Sequence, residues 1–205
     1  LIRHRGPDWS GIYSDEKCII AHERLSIVDP HHGAQPLIDT KTGSVLAVNG
    51  EIYNHLQLKK KLKTEHYWQT KSDCEIILYL YDEYGPKCVD MLSGIFSIVL
   101  YDKKQGTYFA ARDHMGICPL YIGWDKDGTT HLSSEMKALD PYCQKIEEFP
   151  PGSYYQSTEK KFIKWYDQPW MHTIPTQQVS LPQLRQQLEH AVHQQLMADV
   201  PYGVL

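Results

Sequence analysis

The sequence predicts an α+β domain, and three observations carry that prediction. Short apolar runs recur up to about residue 170 and are separated by turn-forming residues, which is typical of antiparallel strands. Two stretches between these runs, near 54–63 and 72–85, carry apolar residues at helical spacing. The 205 residues are enough for one sizeable domain, or for one domain and part of a second.

The strand predictions rest on pairs of apolar runs joined by turns. The runs "GIFSIVLYD" and "TYFAARD" flank "KKQG" and predict a hairpin with Gly106 at its turn. The stretch "PLYIGWDKDGTTHLSS" repeats this arrangement around Asp127-Gly128. Nearer the start, "CIIAHERLSIV" is an apolar run that becomes polar, and "SVLAVNGEIYN" is interpreted as strand, turn, strand with the turn at Asn49-Gly50.

The helix predictions rest on caps as well as spacing. The first predicted helix, "NHLQLKKKLK", has Leu56, Leu58 and Leu62 on one side and lysines on the other. The second, "SDCEIILYLYDEYG", starts with Ser72 and Glu75 at the spacing of a capping box and ends at a Gly-Pro pair. A short helix is predicted to follow around "PKCVDMLSG".

Composition changes between about residues 165 and 180, where Pro, aromatic residues and Gln replace the strand pattern. We interpret 166–179 as a linker after a first domain over 1–165. The next stretch predicts an amphipathic helix with Ser180 as its N-cap and Gln183 completing a capping box. Its apolar stripe consists of Leu181, Leu184, Leu188, Val192 and Leu196. Because little chain follows to cover that stripe, we assign 180–205 to the start of a second domain.

Bulk properties exclude several classes of protein. The net charge of −4 and the scattered Lys and Arg provide no basic surface for nucleic acid. The longest apolar runs are far shorter than the roughly 20 residues of a membrane span. Five widely spaced cysteines, with no C-x-x-C pair, predict neither a disulfide framework nor a zinc site and favour a reducing, cytoplasmic setting. The chain opens without Met inside a motif-like run, so we expect both of its ends to be cut.

Asn49-Gly50 has two interpretations. An Asn-Gly pair is typical of a tight hairpin turn. It also suits an oxyanion hole, because Asn supplies an uncharged donor and Gly lets a ligand approach its backbone N–H. The two interpretations are compatible, since a turn exposes its N–H groups.

Arg24 and Asp73 form a candidate pair for an amino-acid ligand. The planar guanidinium of Arg24 can pair with a carboxylate through two hydrogen bonds. The alternative interpretation is an ordinary surface arginine at a strand end. The backbone that follows Arg24 is expected to continue extended and to bond a ligand beside it. Asp73 could hold an ammonium group, although an acid in the first turn of a helix is also simply favourable. Sequence spacing leaves open whether the fold brings the two together.

Cysteine and histidine residues give weaker signals. Cys74 is the best visible candidate nucleophile, because a thiol in a first helical turn can have a lowered pKa, but no local base accompanies it and a buried structural cysteine is the alternative. Cys118 is a weaker candidate. His190 and His193 lie three residues apart on the last predicted helix, where a solvated face is the simpler interpretation than a metal site. "RDHMG" could be a packing corner or the edge of a site, and no phosphate-binding glycine loop occurs.

Taken together in order, the motifs resemble one family. "RHRGPDWSG", "AHERLSIVD", "AVNGEIYNH", "SDCEIIL", "ARDHMGICPLY", "SSEMKAL", "FPPGSYY" and "ADVPYGVL" follow one another as in glutamine-dependent asparagine synthetases of the bacterial and plant type. The resemblance covers essentially the whole chain. It implies a four-layer α-β-β-α sandwich of the N-terminal-nucleophile hydrolase type, followed by the first helix of an α/β synthetase domain.

The resemblance also implies roles for individual residues. Arg24 resembles the residue that pairs with the glutamine α-carboxylate, and Asp73 the acid that holds its α-amino group. Asn49 and Gly50 resemble the oxyanion hole, and Arg5 resembles a structural support near the nucleophile. The implied glutamine-binding set is completed by neighbours of these residues, namely Leu25, Ser26, Ile27, Val28 and Glu51.

For the whole protein, the resemblance implies a ligase that forms asparagine from aspartate, glutamine and ATP with Mg²⁺, in the cytoplasm and as a possible homodimer. The family's nucleophile is an N-terminal cysteine whose own α-amine is the base. We expect this chain to start beyond that cysteine and to stop before the pyrophosphate loop, so that it binds no ATP or Mg²⁺ and is inactive alone. Other amidotransferases with the same module, such as amidophosphoribosyltransferase or glucosamine-phosphate synthase, and a non-catalytic glutamine-binding module remain alternatives.

Overall fold

A computed structural model describes residues 1–174, 176 and 178–203, and antiparallel sheets dominate it. The strands are β1 (Trp9–Ser14), β2 (Ile19–Arg24), β3 (Leu37–Ile38), β4 (Val45–Ile52), β5 (Gly94–Asp102), β6 (Thr107–Arg112), β7 (Tyr121–Trp124), β8 (Thr130–Ser133), β9 (Lys145–Glu148), β10 (Ser153–Gln156) and β11 (Lys161–Lys164). The central sheet has the order β11-β10-β6-β5-β4-β3. Two smaller sheets, β1-β2 and β8-β7-β9, accompany it.

The helices are α1 (His55–Lys59), α2 (Ile76–Tyr84) and α3 (Leu181–Gln194), with 3₁₀ turns at Asp73–Glu75 and Gly85–Met91. The first helix is shorter than the sequence predicts. It buries Leu58, whereas the side chain of Leu56 is 64% exposed. The lysine-rich continuation after Lys59 has too few apolar residues facing the core to be held as helix.

Side chains of β5 alternate between two buried faces of the central sheet. Phe96, Ile98 and Leu100 pack on the face that α2 covers. Val99 packs on the opposite face with β7. Tyr101 packs there with β2. The described residues therefore form three layers in the order α-β-β, and both faces of the central sheet are covered.

Both predicted hairpins are confirmed. The turn between β5 and β6 contains Gly106 with a φ of +65°, and the turn between β7 and β8 contains Gly128 with a φ of +81°. Glycine adopts such backbone angles without steric strain. The local turn signals were therefore sufficient at these two places.

The capping box predicted at the start of α2 is wrong in its second half. The Ser72 hydroxyl does accept a hydrogen bond from the Cys74 N–H, at 3.3 Å. Glu75, however, is buried and accepts from the backbone N–H groups of Gln69 and Thr70, each at 2.8 Å. The carboxylate of Glu75 is therefore bonded to the preceding loop and does not cap the helix.

The last helix shows a similar difference at its start. Ser180 makes no side-chain cap for α3, so the predicted box with Gln183 is wrong. The predicted apolar stripe is present but exposed, from 44% at Leu196 to 74% at Leu181. Between 166 and 179 the described residues hold a 3₁₀ turn at Pro169–Met171, while Pro175 and Gln177 lie outside the described residues. The division into two domains and a linker stays a prediction.

A buried carboxylate on α2 anchors the loop after α1. Glu83 accepts from the backbone N–H groups of Lys63 and Thr64, each at 3.0 Å, and lies 3.2 Å from His66. Burial acts to raise the pKa of Glu83, but these donors outweigh it and lower the pKa to about 2. A lowered pKa contributes stability above the ordinary value of 4.5, and that stability is lost as the pH falls toward 2.

We therefore expect Glu83→Gln to lower the midpoint of thermal unfolding by roughly 3–6 °C at pH 7. The gap between variant and wild type should narrow as the pH falls from about 4.5 toward 2, because the unfolded state then takes up a proton at Glu83 and the folded state loses the advantage of its ionised carboxylate. Melting curves over a pH series measure this. Glu65→Gln, at an exposed position of the same loop, is the control and should follow wild type at every pH. A gap that stays constant with pH contradicts a role for the charge.

Candidate functional site

Asn49-Gly50 lies inside a strand. The strand β4 runs unbroken from Val45 to Ile52, with Asn49 opposite Ser97 and Gly50 opposite Phe96 in β5. The turn predicted here is therefore wrong. Pairing along the whole length of β5 overrides the local preference of an Asn-Gly dipeptide for a reversal.

Gly50 is required at its position by two independent constraints. Its φ is +145°, a backbone angle that residues with a side chain rarely adopt. A Cβ at Gly50 would also lie 2.0 Å from the carbonyl oxygen of Ile95. The glycine therefore allows β5 to approach β4 more closely than any other residue would.

The N–H of Gly50 points away from β5. Phe96, which lies opposite Gly50, directs its N–H and C=O toward Asp113, at 3.2 and 2.8 Å. Antiparallel pairing alternates, so Gly50 directs its own N–H to the other side of β4. On that side β3 has already ended, and the N–H of Ile52 donates to the carboxylate of Asp73. The Gly50 N–H thus faces the sheet edge beside Asp73.

The side-chain amide of Asn49 is unpaired. Its Nδ2 is buried and, among the residues that the structure describes, is the only buried side-chain nitrogen or oxygen without a hydrogen-bond partner. Asn49 projects to the same face of β4 as Val45 and Ala47, between the central sheet and the smaller sheets. Buried polar groups are nearly always paired, so an unpaired one points to a catalytic or binding role.

Two carboxylates lie beside this strand edge. Asp73 is buried, and its Oδ2 accepts from the Ile52 N–H at 2.6 Å. Burial raises the pKa of Asp73, although the Ile52 N–H and the charge of His55 act against the rise. Burial also raises the pKa of Glu51, and the charge of Asp73 raises it further. Two acids that disfavour each other's ionisation form a place where a bound cation is stabilised.

Arg24 is buried at the end of β2 and is largely satisfied by backbone. Its Nη2 donates to the carbonyls of Val28 and Asp29, at 2.9 and 2.8 Å, and its Nη1 donates to Pro30 at 3.2 Å. A bidentate pairing with a carboxylate uses Nη2 together with either Nη1 or Nε. In this geometry, such a pairing requires one of the two carbonyl bonds to Nη2 to be given up.

The loop after Arg24 also departs from the prediction of extended backbone. The chain bends from Ile27 onward, and Leu25 is 59% exposed. Ser26 donates its N–H to Asp8 at 2.8 Å. Contacts from distant parts of the chain set the path of this loop, which explains why the local pattern did not predict the bend.

Arg24 and Asp73 are linked through a residue that sequence reasoning missed. Asp29 accepts from Arg24 through its backbone carbonyl and from the Lys71 N–H through its Oδ2, at 2.8 Å each. Lys71 lies two residues before Asp73. The fold therefore brings these two charged residues into one hydrogen-bonded neighbourhood. The only local signal for Asp29 was its place before a proline, which marks a turn rather than a site.

The five cysteines are not activated. Cys74 is buried, and burial followed by the charge of Asp73 raises its pKa well above the ordinary value. Burial raises the pKa of Cys118 to about 12, of Cys88 to about 12 and of Cys18 to about 11. The pKa of Cys143 is raised as well. Since the thiolate is the nucleophile, none of these thiols suits catalysis at neutral pH.

The remaining candidates have structural partners. Arg5 lies 3.4 Å from Glu135, beside a cavity of about 310 Å³ that does not include Asn49, Gly50 or Asp73. Arg112 of "RDHMG" is buried and donates to the carbonyls of Cys118 and Phe149, so this motif is a packing corner. Of the helices within the described ranges, none combines the length and apolar character that crossing a membrane demands.

Comparison with known proteins agrees with these features. The family model described as "Glutamine amidotransferase domain" matches residues 1–160. Over its whole length the chain is 52% identical to a glutamine-hydrolysing asparagine synthetase of Zea mays and 50% identical to asparagine synthetase B of Escherichia coli. It spans only 35% and 37% of these relatives.

Among solved structures, the glutamine phosphoribosylpyrophosphate amidotransferase of B. subtilis superimposes with a TM-score of 0.64. It is 22% identical, and the match covers 80% of this chain and 44% of that one. This likeness concerns the fold, which combines helices with antiparallel sheets in this chain. The α+β class predicted from the sequence is confirmed, and the described residues form three of the four predicted layers. Because the family model matches most of its length, this chain belongs to the glutamine amidotransferase domain family.

Proposed function

We propose that this chain is the glutamine-binding part of a glutamine-dependent asparagine synthetase, and that Asn49 and Gly50 form its oxyanion hole. The observation that carries the proposal is the buried, unpaired amide of Asn49 next to a Gly50 N–H that faces a sheet edge. The identities near 50% to asparagine synthetases favour that synthetase over other users of the same domain.

In the proposed reaction, a thiolate attacks the side-chain carboxamide of glutamine. Negative charge develops on the amide oxygen, and the Asn49 Nδ2 and the Gly50 N–H donate hydrogen bonds to it. Both donors belong to a strand held by β5, so they need no rearrangement when the charge appears. Burial of Asn49 Nδ2 strengthens its hydrogen bond to the developing charge, because water does not screen the interaction.

The rest of the glutamine molecule is a zwitterion that needs one group of each charge. Asp73 and Glu51 would receive the α-ammonium group, which relieves the repulsion between their carboxylates. Arg24 would receive the α-carboxylate by exchanging one backbone carbonyl for a ligand oxygen. This exchange keeps the guanidinium paired in both states, so an unpaired buried charge never arises.

The nucleophile is proposed to lie outside these 205 residues, because the pKa of each thiol in the chain is raised. A cysteine whose own α-amine acts as the base, as the resemblance implies, would need no histidine.

For the complete protein, we propose that the released ammonia reacts with aspartate that ATP has activated in a synthetase domain, with Mg²⁺ accompanying the ATP. Within the described part of the chain, no three His, Cys, Asp or Glu side chains are arranged to hold a metal ion. A homodimer and a cytoplasmic location remain predictions from the resemblance.

Asp73→Asn in the complete protein tests the substrate assignment. Asparagine keeps an acceptor for the Ile52 N–H but removes the charge, so we expect the glutamine KM to rise at least about tenfold while kcat changes only a few-fold. Steady-state glutamate release measures both constants. Asp82→Asn, at an exposed position of α2, is the matched control and should behave as wild type. An unchanged KM in Asp73→Asn removes Asp73 from the binding site.

A further inference from the structure

We propose that Asp29 is a positioning residue of the glutamine site and that Asp199, beyond α3, holds it in place, so that the segment after α3 contributes to glutamine affinity. This inference rests on the proposed function and adds to it a contact between distant parts of the chain. Sequence reasoning assigned neither residue a role.

Asp29 is buried, and each of its polar groups has a hydrogen-bond partner. Its N–H donates to Oδ2 of Asp199 at 2.9 Å, and its Oδ2 accepts from the Lys71 N–H at 2.8 Å. Its backbone carbonyl accepts from Arg24 Nη2 at 2.8 Å, and its Oδ1 accepts from the His32 N–H at 3.3 Å.

The backbone of Asp29 is strained, with a φ of +49° in the left-handed region. Such a conformation is unfavourable for a residue other than glycine and persists where surrounding contacts determine it. The carbonyls of Val28 and Asp29, which hold Arg24, are oriented by this conformation. A change at Asp29 therefore reaches the residue that we propose to bind the α-carboxylate.

Asp29 also reaches the ammonium side of the site. Its bond to the Lys71 N–H holds the segment just before the 3₁₀ turn that presents Asp73. Asp73 then contacts β4 through the Ile52 N–H. One residue thus connects both charged walls of the proposed site, while Asn49 and Gly50 are held separately by β5.

Asp199 makes two hydrogen bonds to the loop that contains Ile27 and Asp29. Its backbone N–H donates to the carbonyl of Ile27 at 3.0 Å, and its Oδ2 accepts from the N–H of Asp29 at 2.9 Å. Within the described ranges, these two bonds are the hydrogen bonds that join residues 180–203 to the rest of the chain. Helix α3 itself has no buried residue. These two hydrogen bonds are therefore the specific link between residues 180–203 and the proposed glutamine site.

The physical consequence is a separation between binding and chemistry. Loss of the Asp199 carboxylate leaves the Asp29 N–H without its partner and loosens the strained loop that orients the acceptors of Arg24, while the backbone bond from Asp199 to Ile27 stays. The two proposed oxyanion donors stay in the sheet. An interaction that supports bound substrate and transition state equally changes KM and leaves kcat nearly unchanged.

The test uses Asp199→Ala, Asp199→Asn and a control in the complete protein, with glutamine KM and kcat measured by glutamate release. We expect Asp199→Ala to raise KM about tenfold with kcat within about twofold of wild type. Asp199→Asn should stay within about threefold in KM, because its amide oxygen can still accept from the Asp29 N–H. Glu189→Ala, whose side chain pairs with Arg185 on the exposed surface of α3, is the control and should match wild type.

An unchanged KM in Asp199→Ala overturns the inference while glutamate release by wild type continues to support the proposed function. Equal losses of kcat and of binding, without rescue by Asp199→Asn, also overturn it, because they indicate a general structural defect. If Asp199→Ala does not fold, Asp29→Asn decides, since Asn tolerates the left-handed region and keeps the backbone bonds. It should raise KM about tenfold through the lost carboxylate, and an unchanged KM overturns the inference. A wild-type protein that releases no glutamate overturns the proposed function as well.

Discussion

Asn49→Ala in the complete protein is expected to lower the kcat of glutamine hydrolysis by about 10²–10³-fold, the usual effect of removing one oxyanion donor. Synthesis of asparagine from added ammonia should change little, because that reaction bypasses the oxyanion. The stability of the protein should change by less than about 1 kcal/mol, because Asn49 Nδ2 has no partner to lose. Glutamate release, ammonia-dependent synthesis and thermal melting measure the three quantities.

Asn54→Ala is the matched control for this variant. Asn54 is an asparagine of the same motif, but both ends of its amide are paired, with the Met91 carbonyl at 2.9 Å and the Ser93 N–H at 3.0 Å. Its loss should destabilise the protein by about 1–2 kcal/mol. The two variants thus separate a catalytic amide from a structural one. If Asn49→Ala lowers glutamine-dependent and ammonia-dependent activity equally, Asn49 has a folding role instead.

Gly50→Ala is expected to destabilise the protein by at least about 3 kcal/mol, or to prevent folding. The methyl group would meet the Ile95 carbonyl oxygen, and the backbone angle of +145° is unfavourable for alanine. The strands β4 and β5 would have to separate at the point where the two proposed oxyanion donors are held. Thermal unfolding followed by tryptophan fluorescence should show a midpoint lowered by about 6–12 °C.

Gly128→Ala is the control for backbone angle alone. Gly128 also has a positive φ, of +81°, but a Cβ there would meet no atom within 4 Å. Its substitution should therefore cost only about 1 kcal/mol. Equal destabilisation by the two variants would mean that the close approach of β5 contributes nothing, and that the conformational freedom of glycine explains the position entirely.

Local patterns predicted the elements whose structure depends on neighbours in the chain. The hairpin turns at Gly106 and Gly128 and the strand β5 follow from turn residues and from an apolar run. The periodicity of α2 gave its position, since the helix buries Ile76 and Leu80 as expected. Each of these features is determined by residues within a few positions, which is the range that a sequence pattern records.

Predictions failed where a distant segment supplied the partner. Asn49-Gly50 has the local signature of a turn, but eight residues of β5 hold it in a strand. Glu75 has the spacing of a capping box, but the loop at Gln69 and Thr70 takes its carboxylate. In both cases, the hydrogen bonds gained with the distant partner replace those that the local conformation offers.

The sequence by itself determined the α+β class, the main strands and helices, and the chemical types of the residues proposed to bind glutamine. Only the tertiary structure decided that Asp73 lies beside the edge of β4, that backbone carbonyls satisfy Arg24, and that Asp199 reaches across 170 positions to Asp29. The reason is physical. Periodicity reports contacts between near neighbours, whereas the partners of a buried charge or an N–H group are set by how strands pair and loops close over the whole chain.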